Sequence, residues 1–311
     1  MSEGDPTAIA EALAAGDRRA VARAISMVED ADPGLPALSA AVYPRTRGAQ
    51  TVGITGAPGV GKSTLAGALV RLARDQGRRV AVLAVDPTSP YTGGALLGDR
   101  VRMQEHATDT DVFIRSMATR GHLGGMALAA PEAVRILDAA GYDLIVLETV
   151  GVGQAEVDVA AATDTAVVVL APGLGDAVQM AKAGILEVAD VFVVNKADRD
   201  GANEVLRELR QMLHLGEARP WSPPVLATTA NAGEGVPELW AAIAEHRSWS
   251  ETSGQLREKR RARLLREVEA LAAERSRVAA ATALAAADGL VDDLEARRID
   301  PYAAADRVVS R

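Results

Sequence analysis

The sequence predicts an α/β fold in which a mostly parallel central sheet is flanked by helices. Three observations support this prediction: short apolar runs recur between residues 49 and 247, helical stretches separate them, and a glycine-rich turn follows the first run. The runs are apolar on both faces, as is typical of parallel strands buried between helices. Seven strands are predicted, at residues 51–55, 79–85, 112–115, 144–147, 165–170, 191–194 and 225–227.

The composition is that of a globular protein and restricts the possible partners. The 311 residues can form one large domain with appendages, or two domains. Cysteine is absent and no secretory leader opens the sequence, so we expect a cytoplasmic protein without disulfides or thiolate metal sites. No apolar stretch approaches the roughly 20 residues that span a bilayer. A net charge of -8 argues against binding to nucleic acid by the protein as a whole.

Residues 1–48 are predicted to form an N-terminal helical extension. Residues 8–15 are rich in alanine and leucine, Gly16 is expected to end that helix, and Asp17 is expected to cap a second helix over residues 18–29. The apolar face of the second helix consists of Ala20, Val21, Ala24, Ile25 and Val28. A structural helical pair and a lid or interaction segment are both compatible with this pattern.

A phosphate-binding P-loop is predicted after the first strand, because a GxxxxGKS pattern lies between a strand-like run and a helix-like run. Its glycines let backbone N–H groups point at phosphate oxygens, beside the positive end of the following helix. We expect Lys62 to reach the β- and γ-phosphates and Ser63 to ligate Mg²⁺, whereas the alternative is a turn that only joins a strand to a helix. The candidate binding residues are Gly56, Ala57, Pro58, Gly59, Val60, Gly61, Lys62, Ser63 and Thr64.

Two carboxylates that follow the P-loop are candidates for metal binding and catalysis. Asp86 follows the second strand run, where a carboxylate can hold Mg²⁺ or its water shell across from Ser63. The alternative is an aspartate that only caps a turn before a proline. Further along, a Gly93-Gly94 pair suits a mobile loop, and Asp99 can meet the metal when that loop closes.

The fourth predicted strand leads to a third acidic residue. Glu148 stands where P-loop NTPases carry a carboxylate for the metal, and Gly151 can donate its N–H to a γ-phosphate. Val152 stands where Ras-like proteins have a water-orienting glutamine, and Gln154 is out of that register. We therefore expect unaided hydrolysis to be slow, near ~10⁻⁴ s⁻¹.

A third glycine-containing loop, over residues 172–182, follows the fifth predicted strand. It is either a plain strand-to-helix turn, with Asp176 as the helix cap, or a third switch on the nucleotide face. The candidate switch residues are Gln154 of the preceding loop and Asp176, Gln179 and Lys182 of this one.

The tetrapeptide Asn195-Lys196-Ala197-Asp198 directly follows the sixth predicted strand. An aspartate at this position can accept two hydrogen bonds from the guanine N1–H and 2-amino groups, which adenine does not offer. Such a carboxylate can discriminate between bases by ~10⁴ or more. Thr229 and Ala230 are expected to close over the base, with an ordinary turn as the alternative.

Residues 248–311 are predicted to form a C-terminal helical arm. Residues 255–277 carry scattered leucines and valines among many charges, as an amphipathic helix does. Dimerisation through this apolar stripe and a solvated helical hairpin are both possible. A basic cluster at residues 259–263 offers a weaker alternative, contact with RNA. Asp300-Pro301 is expected to start a last helix.

Together these motifs resemble the MeaB/ArgK-type GTPases, whose human counterpart is the methylmalonic aciduria type A protein. The resemblance covers nearly the whole chain, and it includes the segments at residues 56–64, 86–94, 98–100, 113–125, 148–154, 176–182 and 195–198. It implies a P-loop NTPase fold divided into an N-terminal extension (1–48), a GTPase domain (49–247) and a C-terminal dimerisation arm (248–311).

The resemblance also implies a function and a set of partners. Such proteins bind GTP or GDP and chaperone an adenosylcobalamin-dependent acyl-CoA mutase, such as methylmalonyl-CoA mutase, by gating cofactor loading and protecting the mutase. It implies a homodimer, and it implies Mg²⁺ held by Ser63, Asp86, Asp99 and Glu148. Ala155 departs from the family pattern, in which serine is frequent after the glutamine.

Three other functions are alternatives to the mutase chaperone: a transport-associated kinase, a GTPase for metal insertion, and a scaffold that binds GTP without turnover. The guanine-type motif at residues 195–198 argues against a kinase that uses ATP. The absence of cysteine and the presence of only four scattered histidines argue against a nickel store. No Asp-x-His-x-x-Gly pattern occurs, so cobalamin is expected to belong to the partner.

Overall fold

The computed structural model describes residues 5–86, 108–118, 125–149, 155–173, 185–216, 219–287 and 289–309. The strands are β1 (Gln50–Thr55), β2 (Val80–Asp86), β3 (Val112–Ala118), β4 (Leu144–Thr149), β5 (Thr165–Leu170), β6 (Val191–Asn195) and β7 (Val225–Thr228). The helices are α1 (Pro6–Ala14), α2 (Arg18–Glu29), α3 (Leu35–Val42), α4 (Lys62–Asp75), α5 (Gly125–Ala139), α6 (Ala155–Ala162), α7 (Ile185–Val188), α8 (Ala202–Leu215), α9 (Val236–Thr252), α10 (Gln255–Ala285), α11 (Leu290–Glu295) and α12 (Pro301–Val309).

The seven strands form one sheet in the order β3-β2-β4-β1-β5-β6-β7, and every neighbouring pair is parallel. The predicted parallel sheet is therefore confirmed, and the predicted strand ends differ from the observed ones by at most three residues. Because all strands run the same way, their carboxyl ends meet at one edge of the sheet. The central strand β1 leads into the P-loop sequence at that edge.

Both faces of the sheet are covered, which explains why the strands are apolar on both sides. Alternate residues of β2 and β4, including Leu83 and Leu147, pack with α1, α2, α3, α5 and α6. The intervening residues, including Val82 and Val146, pack with α4 and α9. Helix α8 packs against β5 and β6 around Phe192.

The N-terminal helices contribute to the core on one face of the sheet. Leu13, Ile25 and Leu38 are fully buried there. The predicted cap of α2 is confirmed, since the Asp17 side chain accepts hydrogen bonds from the backbone N–H groups of Arg19 and Ala20 in the first turn. Helix α3 was not predicted, because it is only 8 residues long and its N-cap, Gly34, offers no side-chain cap.

Residues 1–263 and residues 264–311 form two compact units, and α10 contributes to both. In the second unit α11 and α12 contact each other, with Leu290 and Ala304 buried. The predicted cap at Asp300 is confirmed by its hydrogen bonds to the first N–H groups of α12. Several apolar side chains of this unit are exposed, namely Leu264, Leu265, Val268, Leu271, Val278 and Leu284.

A buried carboxylate lies at the amino edge of the sheet, opposite the P-loop. Asp164 precedes β5 and is 1% exposed. Its oxygens accept hydrogen bonds from Arg260 at 2.6 Å and from Arg247 at 3.0 Å, while Arg263 lies 3.5 Å away. The backbone N–H of Thr51 donates to the same carboxylate at 3.3 Å. Burial alone would raise the pKa of Asp164, but the Arg260 hydrogen bond and the neighbouring charges hold it below its ordinary value.

A second carboxylate extends this arrangement, and we call the whole set the amino-edge cluster: Asp164, Asp190, Arg247, Lys259, Arg260 and Arg263. The Lys259 ammonium lies 2.9 Å from Asp190, and His246 lies 3.3 Å from it. Burial lowers the pKa of His246, whose other ring nitrogen is 2.9 Å from the Thr165 hydroxyl. Three cations of the basic segment 259–263, considered above for RNA contact, are therefore bound to carboxylates of the protein itself.

No helix in the described part of the chain combines the length and the apolar character that crossing a bilayer requires.

The amino-edge cluster predicts a pH-dependent stability. The substitution Asp164→Asn leaves the arginines without their shared anion, so the free energy of unfolding at neutral pH should fall by about 2–3 kcal/mol. Because the pKa of Asp164 is lower in the folded state, its contribution is present above the ordinary value of 3.8 and is lost as the pH falls toward the folded value. The gap between wild type and Asp164→Asn should narrow below pH 3.8 in urea denaturation.

The matched control is Asp75→Asn, which changes an exposed aspartate at the end of α4. It should shift the free energy of unfolding by no more than about 0.5 kcal/mol at any of these pH values. A gap for Asp164→Asn that stays constant from neutral pH into the acid range would contradict the assigned ion pairs.

Candidate nucleotide-binding site

The loop between β1 and α4 lies at the carboxyl edge of the sheet, and two of its glycines are required by their surroundings. Gly56 has a φ of 142°, and a Cβ atom there would lie 2.1 Å from the carbonyl oxygen of Val169 on β5. Gly61 has a φ of 97°, and its Cβ would lie 2.4 Å from the side-chain nitrogen of Asn195. Only glycine combines these backbone angles with such close approach. The loop therefore wraps tightly over the ends of β1 and β5.

Lys62 and Ser63 begin α4 and are both buried, at 5% and 6% exposure. The Lys62 ammonium donates to the backbone carbonyl oxygens of Gly56 at 2.6 Å and Ala57 at 3.0 Å. The positive charge is thus held against the loop at the N-terminus of a 14-residue helix. A helix N-terminus with adjacent N–H groups and a lysine is a suitable environment for phosphate oxygens.

Ser63 lies next to the carboxylate predicted for the metal. Its hydroxyl donates to Glu148 at 2.5 Å, and Glu148 is 4% exposed. The two residues meet because β1 and β4 are paired, with Ile54 opposite Glu148. Nearby, the hydroxyls of Thr55 and Thr149 are buried without a hydrogen-bond partner among the described residues.

These oxygen atoms fit Mg²⁺, which prefers oxygen ligands and is usually held by one or two protein groups together with substrate phosphates. Ser63 and Glu148 are the described side chains that would hold the ion, which would supply positive charge to the phosphate oxygens. Among the described residues there is no group of three or more acidic, histidine or cysteine side chains that could hold a metal by itself. The bound nucleotide would therefore complete the coordination.

The side chain of Asn195 connects three parts of the site. It is 2% exposed, and its amide nitrogen donates to the carbonyl oxygen of Val60 in the P-loop at 2.8 Å. Its amide oxygen accepts hydrogen bonds from the Thr228 hydroxyl at 3.0 Å and from the backbone N–H of Ala230 at 3.1 Å. Asn195 therefore ties the phosphate-binding loop to the loop after β7.

Lys196 and Asp198 complete the candidate base site. Lys196 has a φ of 58°, in the left-handed region, and its ammonium donates to the Gly59 carbonyl oxygen at 2.6 Å. Asp198 is exposed. Thr229 and Ala230 directly follow β7 and are buried, and the Thr229 N–H donates to the carbonyl oxygen of Glu234 at 2.9 Å.

Part of the predicted site lies outside the described residues. Asp86 ends β2 and is paired with Ala118 of β3, so its backbone lies at the carboxyl edge of the sheet. Its side chain is not among the groups that the structure describes. The other predicted residues outside the described part are Asp99, Gly151, Gln154, Asp176, Gln179 and Lys182, as is Val152. Their roles stay predictions.

The sequence predicts that Asn195, Lys196 and Asp198 bind GTP, with base selectivity from Asp198, but it indicates no structural role for Asn195. The structure adds that Asn195 is a bridge, with Thr228 as one of its hydrogen-bond partners. The available signal was the position of an amide residue at the buried end of an apolar strand. A buried amide requires hydrogen-bond partners, and here they come from other loops.

The sequence matches the family described as "Methylmalonyl Co-A mutase-associated GTPase MeaB" over residues 21–285. The chain belongs to the MeaB family. The predicted resemblance is thereby confirmed, and this MeaB-family protein is a GTP hydrolase of the P-loop type.

Relatives from archaea, bacteria and animals are similar to this chain. A Pyrococcus horikoshii protein described as "Putative GTPase" is 50% identical over 305 residues, covering 97% of this chain and 96% of the relative. The GTPase ArgK of Escherichia coli is 39% identical over 257 residues, covering 80% and 78%. The mouse protein named "Methylmalonic aciduria type A homolog, mitochondrial" is 38% identical over 267 residues, covering 80% of this chain and 64% of the mouse protein.

A solved structure described as a LAO/AO transport system kinase has the same fold. It superposes with a TM-score of 0.71 at 27% identity and covers 100% of this chain and 98% of its own. The predicted fold class is therefore confirmed at the level of a P-loop sheet with a helical C-terminal region.

The bridging role of Asn195 predicts a combined loss of stability and binding. The substitution Asn195→Ala removes three hydrogen bonds and leaves buried partners unsatisfied, so the free energy of unfolding should fall by about 2–3 kcal/mol. The affinity for a fluorescent GTP analogue should fall by about tenfold or more, because the two loops are no longer held together. Asn231→Ala, an exposed neighbour in the loop after β7, should change neither by more than about 0.5 kcal/mol. Equal effects of the two variants would contradict the bridge.

Proposed function

We propose that this MeaB-family GTPase chaperones an adenosylcobalamin-dependent acyl-CoA mutase. In this proposal it gates loading of the cofactor and protects the mutase, with methylmalonyl-CoA mutase as the leading candidate for the client. The observation that carries the proposal is the family match over residues 21–285, because the family is described by its association with that mutase. The name of the mouse relative is consistent with the same association.

The geometry of the described site supports guanine nucleotide as the ligand that controls this activity. We assign Lys62, which lies against the loop at the N-terminus of α4, to the β- and γ-phosphates, and Ser63 with Glu148, which are hydrogen-bonded to each other, to Mg²⁺. Exposed Asp198 can accept the guanine N1–H and 2-amino groups, while Thr229 and Ala230 lie in the adjoining loop. Asp86 and Asp99 are proposed to join the catalytic and metal site.

The proposed switch elements follow strands that end beside the P-loop. The segments 86–102, 148–154 and 176–182 come after β2, β4 and β5, whose carboxyl ends share an edge with the loop after β1. We propose that these segments respond to a γ-phosphate held by the P-loop and that the partner contacts them as well. Gly151, Gln154, Asp176, Gln179 and Lys182 are the proposed switch residues. Val152, in place of a water-orienting glutamine, makes slow intrinsic hydrolysis part of the proposal.

The C-terminal helices are proposed to join two copies of the chain. The described residues of the second unit expose the apolar side chains Leu264, Leu265, Val268, Leu271, Val278 and Leu284. Exposed apolar side chains that recur along one helix are typical of an interaction surface. We accordingly retain the division into an N-terminal extension (1–48), a GTPase domain (49–247) and a dimerisation arm (248–311). Adenosylcobalamin is proposed to be bound by the partner alone.

The base site predicts an altered nucleotide preference for Asp198→Asn. An asparagine can donate to the 2-oxygen of xanthine but no longer accepts both guanine N–H groups. GTP affinity should fall by about 10²-fold or more while xanthosine triphosphate gains relative to GTP. Competition titrations with the two nucleotides measure this ratio. Asp200→Asn, an exposed neighbour, is the control that should keep the wild-type preference, and unchanged selectivity in Asp198→Asn would show that the base-site assignment is wrong.

The chaperone proposal predicts that the mutase accelerates GTP hydrolysis. In single-turnover assays the rate should rise by about tenfold or more with mutase present, because the partner repositions loops that leave the attacking water unoriented in the free protein. Ser63→Ala should show no acceleration, since it lacks the hydroxyl assigned to Mg²⁺. Identical rates with and without the mutase, at concentrations where the two proteins bind, would show that the mutase does not accelerate hydrolysis and would overturn this prediction.

A further inference from the structure

A cavity lies at the amino edge of the sheet, on the side opposite the candidate nucleotide site. Its volume is about 540 Å³, within the usual range of small-molecule sites. The start of β1, the turn before β2 and the turn before β4 form its walls. Its charged lining residues are Arg47, Arg78, Arg247, Asp138 and Asp143.

The two carboxylates in the cavity wall are already hydrogen-bonded to backbone groups. Asp138 accepts hydrogen bonds from the N–H groups of residues 47, 48 and 49, each at 3.0 Å. Asp143 accepts one from the N–H of Arg79 at 2.8 Å. These hydrogen bonds fix the turns around the cavity, and each carboxylate has backbone N–H donors within the cavity wall.

Two of the arginines, by contrast, have no carboxylate partner among the described residues. Arg78 donates only to neutral oxygens, the side chain of Gln50 at 3.1 Å and the backbone carbonyl of Asp143 at 3.0 Å, and it lies over the ring of Trp240. Burial lowers the pKa of Arg78, the negative charge of Asp143 opposes this, and the positive charge of Arg247 adds a smaller decrease. Arg78 is therefore a partly desolvated positive charge with Asp143 nearby, but its hydrogen bonds go to neutral oxygens and not to a carboxylate.

Arg47 is the second such arginine. Its guanidinium makes no hydrogen bond or ion pair with any residue in the described part of the chain, and the residue is exposed at the cavity rim. It lies against a turn in which a Cβ at Gly141 would be only 2.9 Å from Nη1 of Arg47. Gly141 has a φ of 84°, so this turn both requires glycine and leaves room for the guanidinium.

We propose that this cavity binds the oxyanion group of a small metabolite, a carboxylate or a phosphate, through Arg47 and Arg78. Planar guanidinium groups recognise both kinds of oxyanion in a bidentate manner. Arg247, which also lines the cavity, donates to Asp164 and so connects the cavity wall to the amino-edge cluster. This site is separate from the P-loop, since its walls are formed at the opposite ends of β1, β2 and β4.

The test is calorimetric titration of the full chain, first saturated with GDP and Mg²⁺ so that the P-loop does not compete for the probe. Inorganic phosphate and malonate are the oxyanion probes, and glycerol is the uncharged control. At least one oxyanion should bind with a dissociation constant of about 1 mM or lower. The probe that binds more tightly identifies phosphate or carboxylate as the natural group.

The variants assign the binding to the cavity. Arg47→Gln alone, and Arg47→Gln with Arg78→Gln, should weaken binding by about tenfold or more while retaining GTP hydrolysis. Arg207→Gln, which removes an exposed arginine of α8, should bind as the wild type does. Absence of binding to both oxyanions would overturn the proposal, as would equal weakening in all variants or unweakened binding in the double variant.

Discussion

The amide of Asn195 determines how the nucleotide site is assembled. In the sheet, β5 separates β1 from β6, so the P-loop and the base motif emerge from strands that are not neighbours. Asn195 crosses this interval by donating to the Val60 carbonyl oxygen, and it also accepts hydrogen bonds from the loop after β7. The close approach of this amide is what excludes a side chain at Gly61. The loop after β1 and the loop after β7 are thus held in a fixed position relative to the segment 195–198 by hydrogen bonds of the protein itself.

The two edges of the sheet have different electrostatic environments at the two ends of the central strand β1. At the carboxyl edge, the end of β1 delivers backbone N–H groups, a lysine and a helix N-terminus to a site for anions. At the amino edge, the start of β1 is held by Asp164, whose charge is balanced by arginines of α9 and α10. A buried carboxylate is tolerated there because several donors surround it. The first turns of α10 are therefore bound to the start of β1 by charge, whereas the two faces of the sheet are covered by apolar side chains.

The features that could be predicted from sequence are those carried by neighbouring residues. Apolar runs gave the seven strands, and the phosphate and base motifs are contiguous, so their strand ends could be located. Interactions between distant residues left no such pattern: Thr51 and Asp164 are 113 residues apart, and the bonds of Asn195 span 33 to 135 residues. The cavity that contains Arg47 and Arg78 is likewise formed by turns far apart in the chain. Only the fold shows which charges share a surface.

The backbone of Lys196 has a consequence for the thermodynamics of nucleotide binding. A non-glycine residue at a φ of 58° costs about 1 kcal/mol or more relative to a relaxed conformation. The hydrogen bond from its ammonium to Gly59 and the burial of the neighbouring Asn195 offset this cost during folding. The conformational cost at Lys196 is therefore part of the free energy of folding and does not reduce the free energy of nucleotide binding. Such preorganisation favours tight binding with little ordering entropy left to lose.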